Sequence, residues 1–184
     1  MVGGQQHLFK LVILGDGGVG KTSLAVRMVS GEFSETMKMT IGLDVHAKEL
    51  QVGGSRVMLQ VWDFGGQERF RFLLPRYCAQ ADGALFLYDV TDPATLLHLG
   101  NWMEVLSANS RQVPILCIGT KIDLIEKRTV TRDEAVKLAQ SFRLAGYAEV
   151  SAKTGQDVER VFETIAKLMM ERKRKGNVAP TSSI

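Results

Sequence analysis

Apolar residues in this chain come in short runs separated by stretches with helical spacing. FKLVIL (residues 9–14), LDVHAKEL (43–50), RVMLQVW (56–62), GALFLYDV (83–90), PILCIGT (114–120) and GYAEVS (146–151) read as six strands. Several are apolar almost throughout, the pattern of a sheet covered on both faces. VGGS (52–55) is a glycine turn between the second and third runs, which predicts an antiparallel hairpin. TRDEAVKLAQSF (131–142) opens on Thr131 with Glu134 three residues on, a capping box, and puts Ala135, Leu138, Ala139 and Phe142 on one helix face. Val158, Val161, Phe162, Ile165, Leu168 and Met169 repeat that spacing in the last helix. The alternation predicts an α/β fold: a six-stranded, mostly parallel sheet with one antiparallel strand, right-handed crossovers and helices on both faces. Ligands of such sheets bind at the carboxyl ends of the strands. There is no internal repeat or linker. The expected organisation is a flexible start (1–8), one domain (9–175) and a disordered tail, GNVAPTSSI (176–184).

A chain of 184 residues with 45% hydrophobic and 23% charged residues fits one globular domain with a sizeable core. The formal net charge of +3 is too small to indicate a nucleic-acid partner. The local excess RKRK (172–175) could touch an anionic membrane, but the simpler reading is a solvated helix end whose cations suit the helix dipole. Cys78 and Cys117 suggest reduced, buried thiols of a cytoplasmic protein. No apolar run has transmembrane length, and the start MVGGQQH lacks a signal-peptide pattern. Val2 excludes an N-myristoyl signal, and TSSI at the end carries no prenyl cysteine. The expectation is a monomer with at most peripheral membrane contact.

The chemistry starts where the first strand ends. GDGGVGKTS (15–23) matches G-x-x-x-x-G-K followed by Ser or Thr, and runs into the helical TSLAVRMV. In such a loop the backbone N–H groups of Asp16, Gly17, Gly18, Val19, Gly20 and Ser23 can wrap the phosphates of a nucleotide, with the helix N-terminus behind them. Lys21 would neutralise the β- and γ-phosphates, and the Thr22 hydroxyl would bind Mg²⁺. The loop alone says nucleoside triphosphate, not which one.

Later motifs choose the base and the reaction. In WDFGGQERF (62–70), Asp63 would hold Mg²⁺ through water, the Gly66 N–H would sense the γ-phosphate, and Gln67 could orient the attacking water. In GTKID (119–123), the Asp123 carboxylate could accept both N1–H and the 2-amino group of guanine. Adenine offers neither donor and would leave a buried carboxylate unpaired. The Lys121 stem would lie along the ring, with Thr120 beside it. In SAK (151–153), Ser151, Ala152 and Lys153 end the sixth strand, and the Ala152 N–H is placed to donate to guanine O6. Each short motif alone is more often a surface loop. Their order, each at a strand's carboxyl end, reverses that.

Together GDGGVGKTS, TIG (40–42), WDFGGQERF, YDVTD (88–92), TKID and SAK resemble the Ras-like small GTPases, and among them the Rab family of vesicle trafficking most closely. The resemblance covers residues 9–170 or so. It implies a P-loop G domain that binds GTP and GDP with Mg²⁺ and hydrolyses GTP. It also implies that Phe33 flanks the guanine and that Thr40 binds Mg²⁺ by its hydroxyl and the γ-phosphate by its N–H. Switch I (32–42) and switch II (64–77) would order around GTP and relax after hydrolysis, engaging effectors, exchange factors and activating proteins. With no arginine in switch I to stabilise the transition state, and Arg69 and Arg71 better suited to solvent or structure, an activating protein would supply one.

The sequence departs from the family in three places. Phe64 and Gly65 stand where Rab and Ras proteins have TA, giving a GGQ more like Arf and Gα proteins and leaving the packing of switch II open. Thr120 replaces an asparagine, as in Rho-like proteins. The prenylated tail is missing, which fits either a eukaryotic chain cut short of it or an early-branching, archaeal type. Two further readings stay beside the enzyme-switch. One is a GTP-loaded scaffold with little turnover, suggested by the bulk of Phe64. The other is an ATP-using P-loop kinase, disfavoured by Asp123 and Ala152.

Overall fold

The computed structural model describes residues 6–36, 40–65, 73–109 and 112–177. Its six strands are β1 (Gln6–Leu14), β2 (Leu43–Val52), β3 (Ser55–Phe64), β4 (Gly83–Asp89), β5 (Ile115–Thr120) and β6 (Gly146–Glu149). The helices are α1 (Lys21–Ser30), α2 (Leu74–Cys78), α3 (Pro93–Leu97), α4 (Leu99–Asn109), α5 (Arg132–Ser141) and α6 (Val158–Asn177). The sheet order is β2-β3-β1-β4-β5-β6. Only the β2–β3 pair is antiparallel, in the register Leu43↔Phe64 to Val52↔Ser55 around the glycine turn. Every other pair is parallel.

Strand alternation divides the core into two layers, because successive side chains leave a strand on opposite faces. Leu11, Ile13, Leu85 and Leu87 pack with Leu24 of α1 and Phe162 and Ile165 of α6. Val12, Leu14, Phe86 and Tyr88 pack with Leu74 of α2, Leu99, Trp102 and Leu106 of α4, and Ala135 of α5. β4 is buried along its whole length, as its unbroken apolar run requires. β2, at the sheet edge, is exposed or half-buried over most of its length, with only Leu50 and Val52 buried near its end, and carries charged side chains that discourage edge pairing. Phe64, whose place was open from sequence, ends β3 buried in the second layer and stacks on Tyr77 at 5.3 Å between ring centroids.

The capping box forms: Glu134 N donates to Thr131 Oγ1 at 3.3 Å, and Thr131 N to Glu134 Oε2 at 2.9 Å. Phe142 ends that helix half exposed, its ring against Gly100. Both cysteines are free and buried, and burial pushes their thiols up, Cys78 to about 11 and Cys117 to about 12.

Both ends of the domain extend past the expected bounds. β1 starts at Gln6, so the last residues of the supposedly flexible start are strand, paired with Arg56 to Met58. His7, a polar residue outside the apolar run, is buried there and stacks on Phe9. α6 continues through Gly176 to Asn177, since one glycine costs a helix only about 1 kcal/mol. Residues 178–184 lie outside the described residues.

Candidate functional site

The carboxyl ends of β1, β3, β5 and β6 surround a cavity of about 380 Å³. The loop from β1 to α1 forms its floor, and two glycines shape that loop. Gly15 has φ 138°, and a Cβ there would lie 2.3 Å from the Leu87 carbonyl oxygen of β4. Gly20 caps α1 in the left-handed region, φ 98°. Gly17, Gly18, Gly20, Lys21, Thr22 and Ser23 line the cavity. Lys21 is only 5% exposed, and its Nζ donates to the carbonyls of Gly15 at 2.9 Å and Asp16 at 2.6 Å. Burial pulls its pKa down to about 8. A buried ammonium held by two carbonyls and, among the described residues, in no direct ion pair with a carboxylate is suited to an incoming anion.

Beside it, three oxygens from distant parts of the chain converge. Thr22 Oγ1 donates to Asp63 Oδ2 at 2.5 Å and is also hydrogen-bonded to Thr40 Oγ1, which lies 3.4 Å from the same carboxylate oxygen. Asp63 is fully buried, its Oδ1 has no hydrogen-bond partner among the described residues, and burial raises its pKa. An orphaned buried carboxylate oxygen beside two hydroxyls is a donor set for a hard cation such as Mg²⁺. Gly65 N donates to Gly42 O at 3.0 Å, joining the segment that carries Thr40 to the one that carries Asp63.

At the other end, Asp123, Ala152, Lys153, Phe33, Thr120 and Lys121 line the cavity. Ser151 Oγ donates to Asp123 Oδ1 at 2.6 Å, and Thr154 N donates to Ser151 Oγ at 3.1 Å. This holds the carboxylate by one oxygen. Thr120 Oγ1 lies 2.6 Å from the Val19 carbonyl and 2.9 Å from that of Tyr88, so its proton ties β5 to the phosphate loop or to β4. Lys121 sits at φ 62°, and its Nζ meets Asp89 Oδ2 at 2.6 Å. The Thr91 N–H and hydroxyl donate to the other Asp89 oxygen. Lys153 pairs with Glu35 across the cavity mouth at 2.7 Å.

Asp16, Val19 and Ser151, expected at the nucleotide, do not line the cavity. The Asp16 carboxylate turns to His98 and Trp102, Val19 is packed in the core, and Ser151 acts on Asp123. Gly66 and Gln67 lie outside the described residues. The sequence reading missed Asp89, although YDVTD contains it, because nothing in the motif names its partner. It also missed Glu35 and His98, which no local pattern marks.

Residues 10–171 match the family model described as the Ras family. The chain belongs to the Ras family. This Ras-family chain is 38% identical over 181 residues to Ras-related protein Rab-13 of Rattus norvegicus, covering 96% of the chain and 89% of that relative. Ras-related protein Rab-19 of Homo sapiens is 38% identical over 167 residues, covering 90% and 77%. Ras-related protein Rab-1 of Theileria annulata is 38% identical over 181 residues, covering 97% and 82%. The chain is thus a Rab-like small GTPase of the Ras superfamily. Among the described residues no helix is long and apolar enough to cross a membrane.

Proposed function

We propose that this chain is a guanine-nucleotide switch that binds GTP and GDP with Mg²⁺, hydrolyses GTP slowly by itself, and signals through switch I and switch II. The observation that carries the base assignment is the Asp123 carboxylate, fixed by Ser151 on one oxygen at the cavity wall. A carboxylate so placed accepts from the two donors on guanine's edge. Adenine has no donor for it. Phe33 flanks the base, the Lys121 stem covers it, and the Ala152 N–H meets O6.

On the phosphate side, the N–H groups of the loop and the Lys21 ammonium hold the β- and γ-phosphates. Mg²⁺ would supply positive charge against the negative charge of the phosphates. Thr22, Thr40 and, through water, Asp63 would hold it. Gln67 accepts a hydrogen bond from the attacking water and holds it in line with the γ-phosphorus, and the Gly66 N–H donates to a γ-oxygen. The switch segments present the result to effectors, exchange factors and activating proteins, and an activating protein supplies the arginine in trans. The protein works as a cytoplasmic monomer that can also sit peripherally at a membrane.

Competition for the site tests the base. GDP should displace labelled nucleotide far better than ATP, and Asp123→Asn should shift preference toward XDP, because the amide presents a donor where xanthine offers an acceptor. Equal affinity for ATP and GDP would sink the proposal.

A second reading, the GTP-loaded scaffold, draws on Phe64, which lines the cavity beside Gly65 and stacks on Tyr77. Single-turnover hydrolysis separates the two. A wild type faster than Gln67→Leu supports the enzyme-switch. Equal rates for those two, with Phe64→Thr faster than both, support the scaffold.

A further inference from the structure

The carboxylate of Asp16 is engaged away from the nucleotide cavity. His98 Nδ1 lies 2.5 Å from Asp16 Oδ2, and Trp102 Nε1 donates to Asp16 Oδ1 at 3.0 Å. An ionised carboxylate only accepts, so Nδ1 carries the proton and the imidazole tautomer is set. The two donors are four residues apart on either side of the α3–α4 junction. His98 ends α3, and the Trp102 N–H donates to the His98 carbonyl at 3.3 Å, so the helical turn itself aligns both side chains. Trp102 is 2% exposed, which makes one of the two anchors part of the core. Asp16 is 17% exposed and His98 45%.

Asp16 is also tied to the site through its backbone. Its carbonyl accepts from Lys21 Nζ at 2.6 Å. One residue therefore links a helix junction by its side chain to the phosphate-binding lysine by its main chain. The anchor has a second end. Trp102 and Leu99 of α4 share the second core layer with Leu74 and Cys78 of α2, within or next to the segment assigned to switch II. α2 and Trp102 thus lie in one packed layer, and Trp102 reaches the phosphate loop by its hydrogen bond to Asp16.

We propose that His98 and Trp102 are positioning residues for the phosphate loop: by holding Asp16 they keep the loop in its nucleotide-retaining form, and releasing that hold speeds nucleotide dissociation. Neither residue lines the nucleotide cavity. The inference rests on the guanine-nucleotide reading above.

The test is dissociation of fluorescent GDP from the full chain in Mg²⁺, chased with excess GDP. His98→Ala should release GDP about five- to tenfold faster, the effect of losing one partly exposed charge-assisted hydrogen bond. His98→Asn, whose amide nitrogen can occupy the place of Nδ1, should stay within about twofold of wild type. Trp102→Phe, which removes the N–H and keeps most of the bulk, should also release faster. In an Asp16→Ala background, His98→Ala should add nothing, since the partner is gone. Equal rates for wild type and His98→Ala would overturn the proposal. So would an undiminished His98→Ala effect without Asp16, or equally fast release from His98→Ala and His98→Asn. A wild type that does not retain GDP at all would instead overturn the nucleotide reading, and this inference with it.

Discussion

Lys21 shows how a single residue is made ready for a ligand at the expense of the empty protein. Its ammonium is almost fully buried, and burial moves its pKa from the ordinary 10.5 down to about 8. The unfolded chain therefore binds this proton more tightly than the folded one. The cost is fully present below pH 8 and fades as pH rises from about 8 to 10.5. Nucleotide-free protein should accordingly gain stability across that window relative to Lys21→Met, by on the order of 2–3 kcal/mol. GDP-loaded protein should show little of this gain, because phosphate compensates the charge. Thermal melts of both proteins at stepped pH would decide it; a pH-independent difference between them would refute the burial account. Thr22 belongs to the same scale. Its hydroxyl sits between Asp63 and Thr40, so Thr22→Asn should weaken GTP more than GDP while the circular dichroism spectrum persists. Undiminished GTP affinity in Mg²⁺ would remove Thr22 from the metal site.

At the scale of elements, the loop between β1 and α1 works only because its neighbours leave room for backbone alone. A methyl at Gly15 would press on the Leu87 carbonyl, part of β4, where no side chain can swing away. Gly15→Ala should therefore destabilise the fold by about 3 kcal/mol or more, read by denaturant unfolding. Gly17→Ala, with open space around the added carbon, should cost far less stability. Asp89, at the end of β4, makes a different connection between elements. It holds Lys121 while Thr91 occupies its other oxygen, and its carboxyl lies below the usual carboxylate range, with the Lys121 and Thr91 hydrogen bonds outweighing the opposing effect of burial. Asp89→Asn should speed GDP dissociation about threefold or more, given that a pair with one buried and one partly exposed partner contributes about 1 kcal/mol. The same change in a Lys121→Ala background should be silent. An equal effect in both backgrounds would mean that Asp89 acts on the strand end alone.

For the whole molecule, the site is an assembly of loops from separate elements, positioned by the sheet and joined to one another by cross-loop hydrogen bonds such as Thr22–Asp63, Gly65–Gly42 and Thr120–Val19. Phosphate, cation and base groups come from β1–α1, the segment before β2, the end of β3, and the ends of β5 and β6. Ligand binding should therefore stabilise the domain globally. Saturating GDP with Mg²⁺ at a thousandfold excess over the dissociation constant corresponds to about 4 kcal/mol. Chelating Mg²⁺ should lower the melting temperature of GDP-loaded protein, and Thr22→Asn should abolish most of that difference. A melting temperature indifferent to chelation would exclude a bound cation.

The sequence by itself determined the alternation of strands and helices, the antiparallel hairpin at VGGS, the capping box at Thr131 and the order of the nucleotide motifs. These are legible because periodicity, turn chemistry and short motifs are local: their physical cause lies within a few residues of where they are read. Tertiary structure alone decided that Phe64 packs in the core, that Asp16 faces His98 and Trp102, that Asp89 holds Lys121, and that Glu35 meets Lys153. It also recruited His7 into β1, where the partner strand β3 and the face of Phe9 make a polar residue a buried one. Each of these joins side chains from separate elements, or places a residue whose burial depends on a distant strand. Such pairings are set by how the elements stack, and apart from His7 on Phe9 no short window along the chain contains both partners.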